Sequence, residues 1–87
     1  MIYHVIFDKE ALKSLKRLPR NAQTTIIAKI EALASEPRPH GITILQGPWH
    51  GFYRLRVGDY RVIYHVQDHT ITICIFKIAH RKEVYKR

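Results

Sequence analysis

Apolar and polar residues alternate at both ends of this chain and recur with helical spacing in between. Tyr3, Val5 and Phe7 alternate with Ile2, His4 and Ile6 in a run rich in β-branched and aromatic residues, which predicts a strand. Asp8 then offers a helix N-cap. Residues 9–18 place Ala11, Leu12, Leu15 and Leu18 on one helical stripe and keep Lys9, Lys13, Lys16 and Arg17 off it. Pro19 closes that helix. A second helix over residues 21–35 carries the stripe Ala22, Ile26, Ile27, Ile30, Leu33 and Ala34. The short link between them predicts an antiparallel pair packed on one sheet face.

Residues 36–41, Glu-Pro-Arg-Pro-His-Gly, end the second helix and open a loop. Ile42 to Leu45 reads as a short strand or an apolar tether, and residues 47–51 as a turn-rich approach to a hairpin. Two alternating runs, residues 52–57 and 60–66, flank Gly58-Asp59, a two-residue hairpin signal. With that pair as the loop, Val57 opposes Tyr60, Arg56 opposes Arg61, Leu55 opposes Val62 and Arg54 opposes Ile63. Opposed residues share a face. One face then holds Leu55, Val57, Tyr60, Val62 and Tyr64, a core face. The other holds Arg54, Arg56 and Arg61, with Phe52 and His65 further out. After a connection at Asp68-His69, residues 70–77 form the last strand, and the basic tail from Ile78 forms at most a helical turn.

The element order is strand, helices, then three strands in a meander. That predicts an α+β domain spanning residues 1–87, an antiparallel sheet with both helices on one face. The open face is the one bearing arginines. It is either a solvated surface or an anion site, since Arg is the side chain best shaped to hold phosphate. Trp49 reads as an anchor at the sheet edge, with base stacking the alternative.

Composition sharpens this picture. The 87 residues carry 15 Lys and Arg against 7 Asp and Glu, a net charge of +8, and the pI is about 10.0. A polyanionic partner is expected, nucleic acid first. The lysine-rich face of the first helix is a solvated surface or a phosphate-backbone contact. A single cysteine, Cys74, excludes an intrachain disulfide framework and reads as a buried thiol. The N-terminal apolar run is too short, and too soon followed by charge, for a signal peptide. No run approaches the roughly 20 residues that span a bilayer. The expectation is a soluble cytoplasmic protein with no membrane partner.

Six histidines invite a metal site, but their spacing does not support one, and Cys74 is the lone thiol. No phosphate-binding Gly-rich loop, nucleophile elbow or carboxylate pair is present. Arg, Lys, Tyr and His remain, with no cofactor implied. Such a set suits RNA, which carries its own nucleophile in the 2′-hydroxyl. The protein needs to align that group, take its proton, neutralise charge on the phosphorane and protonate the leaving 5′-oxygen.

The run from Tyr53 to Tyr64, Tyr-Arg-Leu-Arg-Val-Gly-Asp-Tyr-Arg-Val-Ile-Tyr, followed by His80-Arg81-Lys82-Glu83-Val84-Tyr85, resembles the RelE/ParE superfamily of type II toxins. The resemblance implies a fold like that of microbial ribonucleases. In the RelE-like branch it implies a metal-independent mRNA interferase that enters the ribosomal A site and cleaves bound mRNA, halting translation and growth. Its implied partners are the 70S ribosome with mRNA and a cognate RelB-like antitoxin, with operator DNA bound only through the antitoxin complex. By position, Arg61 matches the arginine that contacts the scissile phosphate, Arg81 the C-terminal arginine that stabilises charge or protonates the leaving group, and Tyr85 the C-terminal tyrosine. Some members carry two lysines ahead of the hairpin, positions read here as Phe52 and Arg54. Arg54 and His80 are therefore candidate catalytic groups, His80 as a base titrating near neutrality. Arg56, Lys77, Lys82, Lys13, Lys16 and Arg17 are candidate contacts to RNA or ribosome. The alternative on the same fold is a ParE-like toxin that inhibits DNA gyrase without cutting nucleic acid.

Overall fold

The computed structural model describes residues 2–83. Its order is β1 (His4–Phe7), α1 (Lys9–Lys16), α2 (Arg20–Leu33), β2 (Thr43–Ile44), a short 3-10 turn (Gly47–Trp49), β3 (Tyr53–Val57), β4 (Tyr60–Gln67) and β5 (Thr72–His80). The strands form one five-stranded sheet in the order β1-β5-β4-β3-β2. The α+β class and the hairpin register are as the pattern predicts, with Arg56 opposite Arg61 and Leu55 opposite Val62. The turn draws on one residue with positive φ: Gly58 sits at +58°, the place a II′-type turn reserves for glycine.

Both helices start and stop for local reasons. Asp8 caps α1 by accepting a hydrogen bond from the Glu10 amide at 3.1 Å. Arg17 ends α1, and Pro19 serves as the N-cap residue of α2. The Gln23 side chain donates through Nε2 to the Leu18 carbonyl at 2.8 Å, satisfying a helix-end acceptor at the joint. The helices bury Ala11, Leu15, Ile26, Ile30 and Leu33 against Val57, Val62, Tyr64, Ile73, Ile75 and Ile78 of the sheet. Leu12 and Ile27, placed on the stripes by spacing, lie at the exposed margin.

Three features depart from expectation. First, the sheet is not wholly antiparallel: β1 runs parallel to β5, Val5 beside Ile73 and Phe7 beside Ile75. Parallel pairing needs a long connection, and here both helices and strands β2 to β4 lie between the two in sequence. Second, β5 extends to His80, so Ile78 belongs to the core rather than to a tail. Ile71 lies outside the strand, at a φ of +51° in the preceding turn. The extension is possible because β5 is bulged: Tyr64 pairs with Ile75 and Ile63 with Lys77, leaving Phe76 as the extra residue. The bulge puts Ile75 and Ile78 on the same face. Third, the open face is partly covered. Leu45 and Ile63 are buried there in a second cluster with Trp49, Phe52 and Ala79.

Candidate phosphate-binding face

The face opposite the helices carries side chains in rows set by the register. One row crosses Thr43, Arg54, Ile63 and Lys77, and the next crosses Arg56, Arg61 and Ala79. Arg54 donates to the Thr43 hydroxyl at 3.3 Å. Arg61 donates through Nη1 to the carbonyls of Gly58 and Tyr60, both at 2.9 Å. Those bonds fold its guanidinium back over the tight turn. The Arg81 amide donates to the Asp59 carbonyl at 2.8 Å, which pins the chain leaving β5 beside the same turn.

Arg54, Arg56, Arg61 and Arg81 therefore gather around the β3–β4 turn. Partial burial lowers the pKa of Arg61, and the charges of Arg56, Arg54 and Arg81 lower it further. The group stays a cation at neutral pH. Four guanidiniums held in mutual repulsion form a surface that an anion would relieve.

Other candidates fall elsewhere. The two basic positions of β3 on this face are Arg54 and Arg56; Phe52 precedes the strand and packs edge-on to Trp49 at 5.8 Å. His80 opposes Tyr60 and so lies on the helix-bearing face, its ring 5.9 Å from that of Tyr60. Its Nδ1 accepts from the Lys82 amide at 3.2 Å, closing the turn after β5. Strand alternation thus points the His80 side chain through the sheet, away from the face that carries Arg54, Arg56 and Arg61. Lys82 is exposed in that turn. Lys77 joins the arginine face, its Nζ 6.0 Å from the Trp49 ring centroid. Lys13, Lys16 and Arg17 lie exposed on and just past α1, and Lys13 approaches Glu10 at 3.6 Å. Tyr85 lies outside the described residues.

Two groupings do not follow from the sequence pattern, although it places Trp49 and Phe52 each on or beside the open face. Arg38 clasps Asp68 through both carboxylate oxygens, at 3.3 and 2.9 Å, and donates to the Tyr53 hydroxyl at 2.8 Å; Tyr3 donates to Asp68 at 2.7 Å. This clasp ties the loop after α2 to β1, β3 and the β4–β5 turn. The second is the ring cluster of Trp49, Phe52 and Phe76. Its one sequence signal is the isoleucine spacing 73, 75, 78, whose change of parity marks the bulge. Among the described residues, no three His, Cys, Asp or Glu side chains group so as to hold a metal ion, and no helix is long and apolar enough to cross a membrane.

Comparison with known proteins agrees with this geometry. Residues 5–85 match the family described as "ParE toxin of type II toxin-antitoxin system, parDE". Toxin RelG of Mycobacterium tuberculosis is 30% identical over 88 residues, covering 100% of both chains. Toxin RelE3 of Methanocaldococcus jannaschii is 33% identical over 86 residues, 93% of each. Among solved structures, the archaeal RelE-RelB complex from Pyrococcus horikoshii superposes with a TM-score of 0.82 at 33% identity, over 97% of this chain and 100% of that one. The toxin-antitoxin complex RelBE2 of Mycobacterium tuberculosis gives 0.83 at 27%, over 93% and 100%. With its five-stranded sheet, its paired helices and the arginine-bearing hairpin, this chain belongs to the RelE/ParE superfamily of type II toxin-antitoxin toxins, on the RelE-like side.

Proposed function

We propose that this toxin is a ribosome-dependent endoribonuclease that cleaves mRNA in the A site. The observation that carries the reading is that Arg54, Arg56 and Arg61 share one sheet face beside the turn to which the Arg81 backbone is tied. Arg61, oriented by two backbone carbonyls, holds a non-bridging oxygen of the scissile phosphate. Arg81 and Arg54 add charge as the 2′-hydroxyl attacks and negative charge grows on the phosphorane. His80 on the far face takes no proton from this substrate. The face is built for charge stabilisation, so alignment of the attacking hydroxyl must come from outside. A ribosome that holds the codon in one geometry supplies it. This is the physical case for ribosome dependence, and the activity proposed is a cytoplasmic one.

A RelB-like antitoxin is the proposed inhibitor, by analogy with the two solved complexes. Its apolar residues fit the margin of β1, where Ile2 and Ile6 are 66% and 53% exposed. There a groove of about 320 Å³ runs between Val5 and Phe7 and the helix residues Leu12 and Ile27.

The test is to add protein to a translating extract and map mRNA 5′ ends, with free mRNA alongside. Cuts inside A-site codons that require ribosomes are expected. Arg61→Ala should reduce them by about 100-fold or more. Intact mRNA would sink the reading. The family match names a ParE toxin, so a supercoiling assay with DNA gyrase is the companion measurement. Inhibition there with intact mRNA would establish the gyrase reading.

A further inference from the structure

Beside the arginine face lies a groove of about 610 Å³ that the proposed chemistry leaves unused. One wall is aromatic, made of Trp49, Phe52 and Phe76; the other comes from α1, with Ala11 and Ser14. The rings meet edge-on or tilted, with centroids 5.8 Å apart for Trp49–Phe52, 5.6 Å for Trp49–Phe76 and 5.3 Å for Phe52–Phe76. Phe76, the extra residue of the bulge, is 38% exposed. Lys77 lines the groove and also stands on the arginine face. It sits one strand over and one row along from Arg61, a backbone separation of about 8 Å. A cationic path thus runs from the hairpin turn to the mouth of an aromatic groove.

We infer that this groove is a subsite for a nucleobase of single-stranded RNA, one or two nucleotides from the phosphate held at Arg61. The inference rests on the nuclease reading above and specifies where the neighbouring substrate goes. Aromatic side chains beside a basic track are how proteins hold single strands, because every base offers a ring face. Lys77 takes the intervening phosphate. Asp8 and Glu10 also line the groove. One oxygen of Asp8 caps α1. Carboxylates accept from exocyclic amino groups, so the subsite favours adenine, cytosine or guanine over uracil, which has none. An apolar antitoxin side chain is the competing occupant. It makes no use of the carboxylates or of the cationic path.

Trp49 is the one tryptophan of the chain, so its emission reports on this groove without mutation of the wall it helps to build. The experiment titrates the protein with 2′-O-methyl hexanucleotides of A, C or U, whose blocked 2′-oxygen prevents cleavage, and with an abasic hexamer. Dye-labelled RNA anisotropy follows binding separately. Quenching is expected with A and C, less with U and none with the abasic strand. Phe76→Ala, at an exposed bulge, should weaken the A hexamer about tenfold, and Lys77→Gln should weaken every hexamer. RNA that binds without disturbing Trp49, and equally well to Phe76→Ala, overturns the inference while leaving the nuclease reading intact. So does a failure of every hexamer to bind, or quenching by an antitoxin peptide but not by RNA. Failure of the nuclease reading appears instead as intact mRNA in the extract.

Discussion

Arg56 and Arg61 face each other directly across the β3–β4 ladder, an arrangement that costs stability. Arg56→Gln should therefore raise the melting temperature by roughly 2–4 °C, the equivalent of about 0.5 kcal/mol for a domain this small, while weakening RNA binding. Calorimetry checks the first, and repetition near 1 M salt should erase the gain by screening. The Arg38–Asp68 clasp acts in the opposite sense. Arg38 first and Tyr3 second hold the Asp68 carboxyl below its usual range. Such a group contributes stability above its unfolded pKa of about 3.9, and the contribution is lost as pH falls through the folded value. Melting curves of Asp68→Asn should lie below wild type near neutrality and converge with it as pH falls below the ordinary carboxylate range. The Tyr3 hydroxyl is raised by the same carboxylate. Its share is full below the unfolded tyrosine value of about 10 and fades as pH climbs past it. At this scale the arginine face was legible, because alternation and the Gly58-Asp59 turn assign faces without ambiguity. The clasp was not, since it joins residues 3, 38, 53 and 68 across the chain, and local pattern is blind to such pairs.

Among the elements, β5 is where local pattern and structure part. Strict alternation through residues 73–80 would put Ile78 on the arginine face and Lys77 in the core. The bulge at Phe76 resolves the conflict by opposing two residues to one. A deletion follows from this geometry. Without Phe76, Lys77 still opposes Ile63 and Ile78 still opposes Val62, because the bulged residue is the one removed. The Phe76 deletion variant should fold, with a melting temperature within about 8 °C of wild type, the equivalent of about 1 kcal/mol. Circular dichroism checks this, and a loss of cooperative melting would contradict the register. The helices needed no such correction. Their stripes, the Asp8 cap and the Pro19 break were all readable, and their limits differ from the predicted ones by two residues or fewer, as fraying ends do.

Across the whole molecule, charge and topology were legible to different degrees. A net charge of +8 raises the expectation of a polyanionic partner, and the strand–helix–helix–strands order announced the α+β class. Where β1 would pair was open, because a first strand separated by two helices can join either edge of a later meander. Burial decides it: Val5 and Phe7 pack against the core beside Ile73 and Ile75.

That placement has a consequence in time. β1 is made well before the strand that docks it, since β5 lies between β1 and β4 and is followed by Arg81. Nascent chain lacking residues 72–80 has a hairpin and two helices but no seat for β1 and no wall for the aromatic groove. Stopping synthesis before β5 should leave a species that does not melt cooperatively and does not arrest growth. Expression of residues 1–70 in parallel with the full chain checks both points. The fold is thus incomplete until β5 emerges, and under the proposed action on ribosomes the chain would spare the machine that makes it until then, a delay written into strand order rather than into any inhibitor.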